Sequence, residues 1–222
     1  MPHSLKTPAI ASVLDRLFTE AEKNDPAILA PLAEETRRQG GALDDRKLAG
    51  ALSQAFIPVS RDVGQLLYMM VRTSRSRHVV EFGTSFGIST IFLAAALKDS
   101  GGGKVITTEL EPHKVRRARE HIAEAGLSEF VEVREGDARE TLRDVAPEID
   151  FVLLDGWKGL YLPVLQLLEP KLRRGTLLVA DDIELMPEMV APYVQYVHSE
   201  DSPYLAVKVP MGDGLDVAMW TR

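Results

Sequence analysis

Two short segments of this chain carry the residue types of a metal-assisted catalytic centre. They are Asp155-Gly156-Trp157-Lys158 and, about two dozen residues later, Asp181-Asp182. Each segment follows an apolar run typical of a strand, Phe151–Leu154 and Thr176–Ala180. In an α/β layout both strands would end at one sheet edge, so three carboxylates and a lysine would meet there. This combination suits a hard divalent cation with a base beside it.

The composition excludes several classes of protein. The chain has 222 residues, enough for one domain with a well-buried core. A net charge of −7 argues against nucleic acid or a membrane surface as partner, and favours a small-molecule substrate. The absence of cysteine excludes a disulfide framework and a thiolate metal site. The segment Met1-Pro2-His3-Ser4 lacks a signal-peptide core, and no apolar run reaches the roughly 20 residues that span a bilayer. We therefore expect a soluble, cytoplasmic protein.

The first part of the chain predicts helices that must cover a surface. Helical signals begin at Thr7-Pro8, at Asp25-Pro26 with a stop at Gly40-Gly41, at about Leu43 with a stop before Pro58, and at the cap residue Ser60. We interpret residues 1–57 as an N-terminal helical extension, either a lid over the site or a dimer surface. Residues 58–222 are interpreted as the main α/β domain, and the whole chain as a single compact unit.

From residue 78 onward, short apolar strands alternate with helices. This rhythm predicts an α/β fold with a mostly parallel sheet and helices on both faces. The predicted strands are His78–Phe82, Lys104–Thr108, Val131–Arg134, Ile149–Leu154 and Gly175–Ala180, and the helices are Ile88–Leu97, Pro112–Ala125, Ala138–Val145, Tyr161–Leu168 and Pro187–Val197. Tyr204–Val209 and Leu215–Trp220 are separated by a glycine-containing turn, which predicts a hairpin that closes the sheet with an antiparallel strand.

A glycine-containing loop follows the first predicted strand. Gly83 and Gly87 lie four residues apart, with Ser85 between them, and precede a helix. Glycines here permit a tight turn and close approach of the backbone to a ligand. The spacing differs from a dinucleotide fingerprint, and no basic residue is available for phosphates, which argues against a nicotinamide site and a P-loop. A ligand such as a nucleoside fits better.

Two further strand ends offer contacts for such a ligand. Glu109 ends the second strand about 26 residues after Gly83, where a carboxylate could bind both hydroxyls of a ribose. The alternative is a solvated strand-end residue. The loop at Asp137 and Ala138 could pack against an adenine edge, and the alternative there is an ordinary helix cap by Asp137.

These residues resemble those of the S-adenosylmethionine-dependent O-methyltransferases of the catechol and caffeoyl-CoA type. The resemblance covers residues 58–222 and is most specific over Leu154–Pro163, which is similar to the loop after the fourth strand of the catechol enzymes. It implies a Rossmann-like, seven-stranded sheet with a reversed last strand, and a homodimer. By this resemblance, residues 58–222 would be the methyltransferase domain.

The resemblance also implies roles for individual residues. Glu81, Gly83 and Ser89 would face the methionine part of S-adenosylmethionine, with backbone near Val59 and Ser60 completing that end. Glu109 would bind the ribose, Ala138 with Arg139 would border the adenine, and Asp155 would also contact the cofactor. Asp155, Asp181 and Asp182 would hold a divalent cation, most often Mg²⁺, and Lys158 would be the base.

One position departs from the family. Where the family commonly has Asp-Asn, this chain has Asp181-Asp182, which adds a negative charge. Affinity for a cation should rise, the cation should acidify a bound hydroxyl less, and Mn²⁺ or Ca²⁺ could compete with Mg²⁺.

The chemical requirements of methyl transfer to a hydroxyl point to the same residues independently of the resemblance. A neutral hydroxyl is a poor nucleophile towards a sulfonium methyl group near neutral pH, so it must lose its proton. A cation that coordinates vicinal hydroxyls stabilises the oxyanion. Lys158, three residues after Asp155, could take the proton if a neighbouring cation favours the neutral amine.

Other residues have two interpretations. Asp181-Asp182 alone could be solvated loop residues, and Trp157 could either cap the sheet or form a wall for a planar substrate. Asp216 could touch a second substrate hydroxyl, as a corresponding acidic residue does in related catechol enzymes, or lie on the hairpin surface. The histidines in charged helical surroundings are expected at the surface: His113, His121 and His198.

Several functions follow from these patterns. The favoured one is a metal-assisted O-methyltransferase acting on a small, hydroxylated aromatic substrate with vicinal hydroxyls. A metal-independent methyltransferase of the same fold, acting on oxygen or nitrogen, is the main alternative, and a non-catalytic cofactor-binding protein is another. A short-chain dehydrogenase is disfavoured because the glycine spacing is wrong and Lys158 and Tyr161 lack the Tyr-x-x-x-Lys order.

Overall fold

Helices and strands alternate along most of the chain. A computed structural model describes residues 3–39 and 50–222. In chain order its helices and strands are α1 Pro8–Gln39, α2 Arg61–Thr73, β1 His78–Phe82, α3 Ile88–Asp99, β2 Lys104–Glu109, α4 Pro112–Glu124, β3 Val131–Glu135, α5 Ala138–Thr141, β4 Ile149–Leu154, α6 Tyr161–Leu168, β5 Leu172–Ala180, α7 Pro187–Val197, β6 Tyr204–Val209 and β7 Leu215–Trp220.

The strands form one seven-stranded sheet in the order β3-β2-β1-β4-β5-β7-β6. Strands β1 to β5 pair in parallel, and β7 runs antiparallel to both β5 and β6. The predicted Rossmann-like sheet with a reversed last strand is confirmed. The strand order reverses at β1, between β2 and β4, and ligands bind at such a switch point in open α/β sheets.

Apolar residues form a core on each face of the sheet. One core joins α1, α2, α3 and α4, and the other joins α5, α6 and α7. Strand β4 is buried along its whole length, as expected for a central parallel strand. Helix α3 is buried along Ile88–Leu97 because it lies between the sheet and α2. The predicted boundary after residue 57 therefore separates segments that share a core.

The predicted helix start at Asp25-Pro26 is wrong, because α1 continues through Pro26 and Pro31. An interior proline removes one backbone hydrogen bond, and its ring crowds the carbonyl four residues earlier, so it weakens a helix locally without always ending it. Asp25 does not cap a new helix. Its carboxylate instead accepts hydrogen bonds from the backbone N–H groups of Phe56 and Ile57, both at 2.8 Å.

Other boundaries agree more closely with prediction. The Ser60 hydroxyl caps α2 by accepting a hydrogen bond from Val63 N at 3.2 Å. Helix α5 ends at Thr141 instead of Val145, and β5 begins at Leu172 instead of Gly175. The predicted stop at Gly40-Gly41 and the start near Leu43 lie outside the described residues. Among the residues described, no helix is both long and apolar enough to cross a membrane.

Candidate active site

The predicted carboxylates meet at the carboxyl ends of two neighbouring strands. Asp155 directly follows β4, and Asp181 and Asp182 directly follow β5, whose last residue Ala180 pairs with Leu154. Each of the three side chains has a carboxylate oxygen within 4.8 Å of the others. This grouping follows from parallel pairing, because in-register strands end at one edge of the sheet.

Lys158 is the cation that faces these carboxylates. It lies in the short 3-10 turn Lys158–Leu160, and its side chain is buried. Its Nζ is 3.1 Å from Asp182 Oδ2 and 3.8 Å from Asp155 Oδ1. Nζ also donates hydrogen bonds to Tyr161 Oη at 2.7 Å and to the Asp181 carbonyl at 3.3 Å. One ammonium group therefore balances three carboxylates only in part.

Tyr161 also belongs to this site, a role that was not predicted from the sequence. Its side chain is fully buried, and its hydroxyl donates a hydrogen bond to the Asp181 carbonyl at 2.9 Å. The Tyr161 hydroxyl oxygen also accepts a hydrogen bond from Lys158 Nζ, so Tyr161 links the lysine to the end of β5. The signal was the spacing of three residues, which places two side chains on the same side of a helical turn.

The incomplete charge balance changes the acidity of the carboxylates. Burial raises the pKa of the Asp155 carboxyl well above its usual range, and the nearby charge of Asp181 raises it further. Burial and the charge of Asp182 raise the pKa of Asp181 to about 7. Both shifts favour the protonated carboxyls. The ionised carboxylates therefore have too little positive charge near them to stabilise their negative charge. The donor set, three oxygen ligands held close together, fits a hard divalent cation.

The backbone at Asp182 explains which residues suit this position. Its φ is +57°, in the left-handed region. Asparagine and aspartate enter this region more readily than other non-glycine residues, because their short polar side chains can bond locally. Asn and Asp would therefore both suit this backbone position, and Asp182 adds one negative charge.

The glycine loop lies directly against the carboxylate cluster. Gly83 has φ +109°, and a Cβ there would lie 2.3 Å from the Asp155 carbonyl oxygen. Only glycine permits this approach, which brings the end of β1 onto the end of β4. Gly87, with φ +90°, is the N-cap of α3. Both predicted glycines thus shape the loop.

Ser85 and Glu109 join this loop to the end of β2. Ser85 N donates a hydrogen bond to Glu109 Oε2 at 2.8 Å, and Glu111 N donates to Glu109 Oε1 at 2.9 Å. Each carboxylate oxygen keeps a further lone pair, because an ionised carboxylate has about four acceptor sites. Glu109 is therefore held in place and can accept hydroxyl donors.

Glu81 is a buried carboxylate with incomplete hydrogen bonding. Its Oε2 accepts a hydrogen bond from the Thr90 hydroxyl, whereas Oε1 is buried without a hydrogen bond of normal geometry in the described part of the chain. Burial raises its pKa, and the hydroxyls of Ser89 and Thr107 lie close enough to oppose that shift. A buried acceptor of this kind fits a donor that a ligand supplies.

A narrow cleft lies next to the glycine loop. It lies between residues 56–59 and the glycine loop, and Ser89 and Asp155 also line it. Of the residues predicted to bind the cofactor, the structure brings together at this cleft Val59, Gly83, Ser85, Ser89 and Asp155. Ser60 follows the cleft as the cap of α2.

The predicted adenine border begins at the N-terminus of α5. The Asp137 carboxylate accepts a hydrogen bond from Arg139 N at 2.9 Å, which is the helix cap that was the alternative interpretation. Ala138 is buried, and the Arg139 side chain forms an ion pair with Asp137. The contact of these residues with adenine stays a prediction.

Trp157 joins the carboxylate centre to the N-terminal part of the chain. It is half-buried and packs against a small apolar cluster that contains Ile28, Leu29, Leu32, Leu52 and Ala55. Residues ahead of position 58 therefore cover one side of the candidate site.

Asp216 and His121 are both buried. The Asp216 carboxylate accepts a hydrogen bond from Tyr193 Oη at 3.0 Å and is 2.7 Å from His198 Nε2, so the alternative interpretation of Asp216 as a hairpin surface residue is wrong, and its contact with substrate stays a prediction. His121 is also buried, with Nδ1 2.9 Å from the Phe86 carbonyl. Its helical spacing from Val115, Ala118 and Ile122 could have shown this, because all four lie on one face of α4. His113 is half-buried and His198 is exposed.

Comparisons with known proteins identify the family. A profile described as a methyltransferase domain matches residues 80–183. The chain is 33% identical over 152 residues to a catechol O-methyltransferase from Niastella koreensis, covering 64% of this chain and 68% of that protein. It is 33% identical over 147 residues to a catechol O-methyltransferase from Mycobacterium tuberculosis, covering 63% of this chain and 66% of that protein.

A solved structure supports the fold. An O-methyltransferase from Bacillus cereus, solved in complex with S-adenosylhomocysteine, superposes with a TM-score of 0.69 at 24% identity. The match covers 79% of this chain and 88% of that one. With the catechol O-methyltransferase relatives, of which this chain spans about two thirds, the chain belongs to the family of S-adenosylmethionine-dependent O-methyltransferases that includes the catechol enzymes.

Proposed function

We propose that this methyltransferase moves a methyl group from S-adenosylmethionine to one hydroxyl of a small aromatic substrate with vicinal hydroxyls. Asp155, Asp181 and Asp182 would hold a divalent cation, and Lys158 would be the base. The observation that carries the proposal is the meeting of these three carboxylates with one buried lysine at adjacent strand ends. Mg²⁺ is the expected cation, with Mn²⁺ or Ca²⁺ as alternatives.

The carboxylate centre supports the cation. Three buried or half-buried carboxylates face one ammonium group, so a divalent ion would complete their charge balance. When bound, the cation would supply direct charge stabilisation to a deprotonated substrate hydroxyl. Asp155 and Asp181 need no rearrangement of the sheet to share a ligand, since they extend paired strands.

In this proposal Lys158 would accept the proton. Its Nζ donates to Tyr161 Oη and to the Asp181 carbonyl, and its remaining position faces the carboxylates. A cation held by Asp155 and Asp182 would replace the ammonium as their counter-charge and favour the neutral amine. Tyr161 keeps this amine at the edge of the site.

The cleft supports the cofactor, whose sulfonium would supply the methyl group. The incompletely bonded Glu81, with Gly83, Ser89 and backbone near Val59 and Ser60, would hold the methionine part. Glu109 would bind the ribose hydroxyls with its remaining lone pairs. Asp137, Ala138 and Arg139 would border the adenine, with Ser85 and Gly87 shaping the loop between these groups.

The proposed acceptor rests on Trp157 and on the relatives. Trp157 directly precedes Lys158 in the sequence, and its indole would give a planar wall, which suits an aromatic ring. The named relatives are catechol O-methyltransferases. Asp216 is left out of the substrate contacts in this proposal, because Tyr193 and His198 already engage its carboxylate.

The test is methyl transfer from labelled S-adenosylmethionine to a panel of catechols, hydroxycinnamoyl thioesters and flavonoids. The assay is run with Mg²⁺ and with excess chelator. We expect activity on at least one vicinal diol that chelator abolishes and Mg²⁺ restores. Activity that persists in chelator would point to a metal-independent methyltransferase. Cofactor binding without turnover of any acceptor would favour a different substrate class or a non-catalytic protein.

A further inference from the structure

One wall of the cleft is a short segment that we call the strap, residues 56–59. The opposite wall is the glycine loop at the end of β1, and Asp155 and Ser89 also line the cleft. The strap follows the N-terminal part of the chain and precedes α2, so its position is not set by the sheet. Whatever fixes the strap also fixes the width of the cleft.

Asp25 of α1 holds the strap through two hydrogen bonds. Asp25 Oδ1 accepts a hydrogen bond from Phe56 N at 2.8 Å, and Oδ2 accepts one from Ile57 N at 2.8 Å. The Asp25 side chain is buried, which strengthens both bonds. Ile57 has φ +46°, a conformation that β-branched residues rarely adopt. The surrounding contacts must therefore stabilise this backbone.

The strap is also attached to the glycine loop across the cleft. The Ser85 hydroxyl donates a hydrogen bond to the Phe56 carbonyl at 2.7 Å, and the rings of Phe56 and Phe86 stack with centroids 4.2 Å apart. Lys114, which is buried, donates to the Ser85 hydroxyl at 3.2 Å. Hydrogen bonds thus run without interruption from Lys114 through Ser85 and Phe56 to Asp25.

We propose that Asp25 is a positioning residue for the cofactor, which acts by fixing the strap against the glycine loop. The inference rests on the proposed function, in which this cleft holds the methionine part of S-adenosylmethionine. It gives α1 a role in the reaction that neither the family match, which begins at residue 80, nor the sheet assigns. Asp25 itself acts only through the strap.

The chain offers a matched control at the opposite end of the sheet. Asp150 Oδ2 accepts hydrogen bonds from two consecutive backbone groups, Arg77 N at 2.6 Å and His78 N at 2.8 Å. Asp150 is also buried, and it pairs with Arg173. Asp25→Asn and Asp150→Asn make the same chemical change, because each places an amide where two N–H donors need an acceptor.

The experiment measures binding of S-adenosylhomocysteine by isothermal titration calorimetry, with thermal unfolding of each protein alongside. We expect Asp25→Asn to weaken binding about tenfold or more, because an unfixed strap is in the binding arrangement for a smaller fraction of the time. Asp150→Asn should lower the unfolding temperature at least as much, and bind with the wild-type affinity. Asp25→Glu, which retains the carboxylate, should recover part of the lost affinity.

Three outcomes would overturn the inference. Wild-type affinity in a folded Asp25→Asn protein would show that the strap does not depend on Asp25. Equal losses of affinity in both variants would show a general effect of stability. Wild-type protein that binds no S-adenosylhomocysteine would instead refute the proposed function, and this inference with it.

Discussion

A carboxylate lies near each end of strand β4, the buried Asp150 near its start and the half-buried Asp155 just after its last residue, and the two have opposite surroundings. Near the start, Asp150 accepts hydrogen bonds from Arg77 N and His78 N and pairs with Arg173, contacts that hold its pKa below the usual range despite burial. Directly after the last residue, Asp155 faces two other carboxylates and one lysine. Burial and the charge of Asp181 there raise its pKa well above the usual range.

The difference separates a structural carboxylate from one that is available for chemistry. The charge of Asp150 is matched by donors from its own chain, so it stabilises the fold and needs nothing further. Asp155 has too few positive partners, and its charge is costly until a ligand supplies one. Residue type and burial alone would not distinguish the two; the neighbouring groups do.

The largest expected effect follows from replacing Asp155 by Asn and comparing it with the same replacement of Asp150. Asp155→Asn should lower methyl transfer by about a thousandfold or more, because the cation loses a central ligand. The unfolding temperature of Asp155→Asn in chelator should equal or exceed that of wild type, because one of three mutually repelling carboxylates is removed. Asp150→Asn should lower the free energy of unfolding by about 2 kcal/mol and leave activity per folded molecule unchanged. A reversed pattern would refute the comparison.

Removal of the Lys158 side chain is the next test. Lys158→Ala should reduce the turnover number by about a hundredfold or more, as expected for loss of a general base. Binding of S-adenosylhomocysteine should stay within a few-fold of wild type, because the cleft is lined by other residues. Turnover at the wild-type rate would remove Lys158 from the mechanism.

The cofactor assignment can be sharpened at Glu109. Glu109→Gln should weaken cofactor binding by about 1.5–3 kcal/mol, because charged hydrogen bonds to ribose hydroxyls would be replaced by neutral ones. The acceptor's Michaelis constant should change much less. Calorimetry that gives equal cofactor affinities for the two proteins would contradict the ribose role.

A smaller effect is expected from restoring the residue that the family commonly has. Asp182→Asn keeps a residue type that tolerates the left-handed backbone at this position. The loss of one charge should weaken cation binding about tenfold, while turnover at saturating Mg²⁺ is retained or increased. A titration of activity against Mg²⁺ measures both quantities, and unchanged cation affinity would show that Asp182 is not a ligand.

The smallest effect concerns pH in the protein without cation. The pKa of Asp181 is raised to about 7 in the folded state, so the folded protein binds a proton more tightly than the unfolded chain. Stability should therefore fall as pH rises from the normal carboxyl range towards about 7. The unfolding temperature in chelator should decrease between about pH 5 and pH 7.5, and added Mg²⁺ should reduce this decrease. An unfolding temperature that increases with pH in chelator would contradict the proposed repulsion among the three carboxylates.

Much of the fold was predictable because parallel strands buried on both faces are short apolar runs between clear turn signals. Strands β1, β4, β6 and β7 have the bounds that the sequence predicted. The continuous helix α1 was not predictable, because the partner of Asp25 lies 31 residues away in sequence. Local capping signals could not show that the carboxylate is used elsewhere.

The site was predictable where topology alone decides it. Asp155, Asp181 and Asp182 meet because adjacent parallel strands end together. The burial of Asp216, the link through Tyr161 and the path from Lys114 to Asp25 depend on contacts between distant segments. No local pattern in the sequence reports those contacts, so they required the structure.

The most direct measurement is the stoichiometry of Mn²⁺ binding, followed by electron paramagnetic resonance in wild type, Asp155→Asn and Asp150→Asn. We expect one tight site per chain in wild type, the same site in Asp150→Asn, and its loss in Asp155→Asn. Equal binding by all three proteins, or no tight site in wild type, would contradict the claim that the unbalanced carboxylates at the end of β4 form a cation centre.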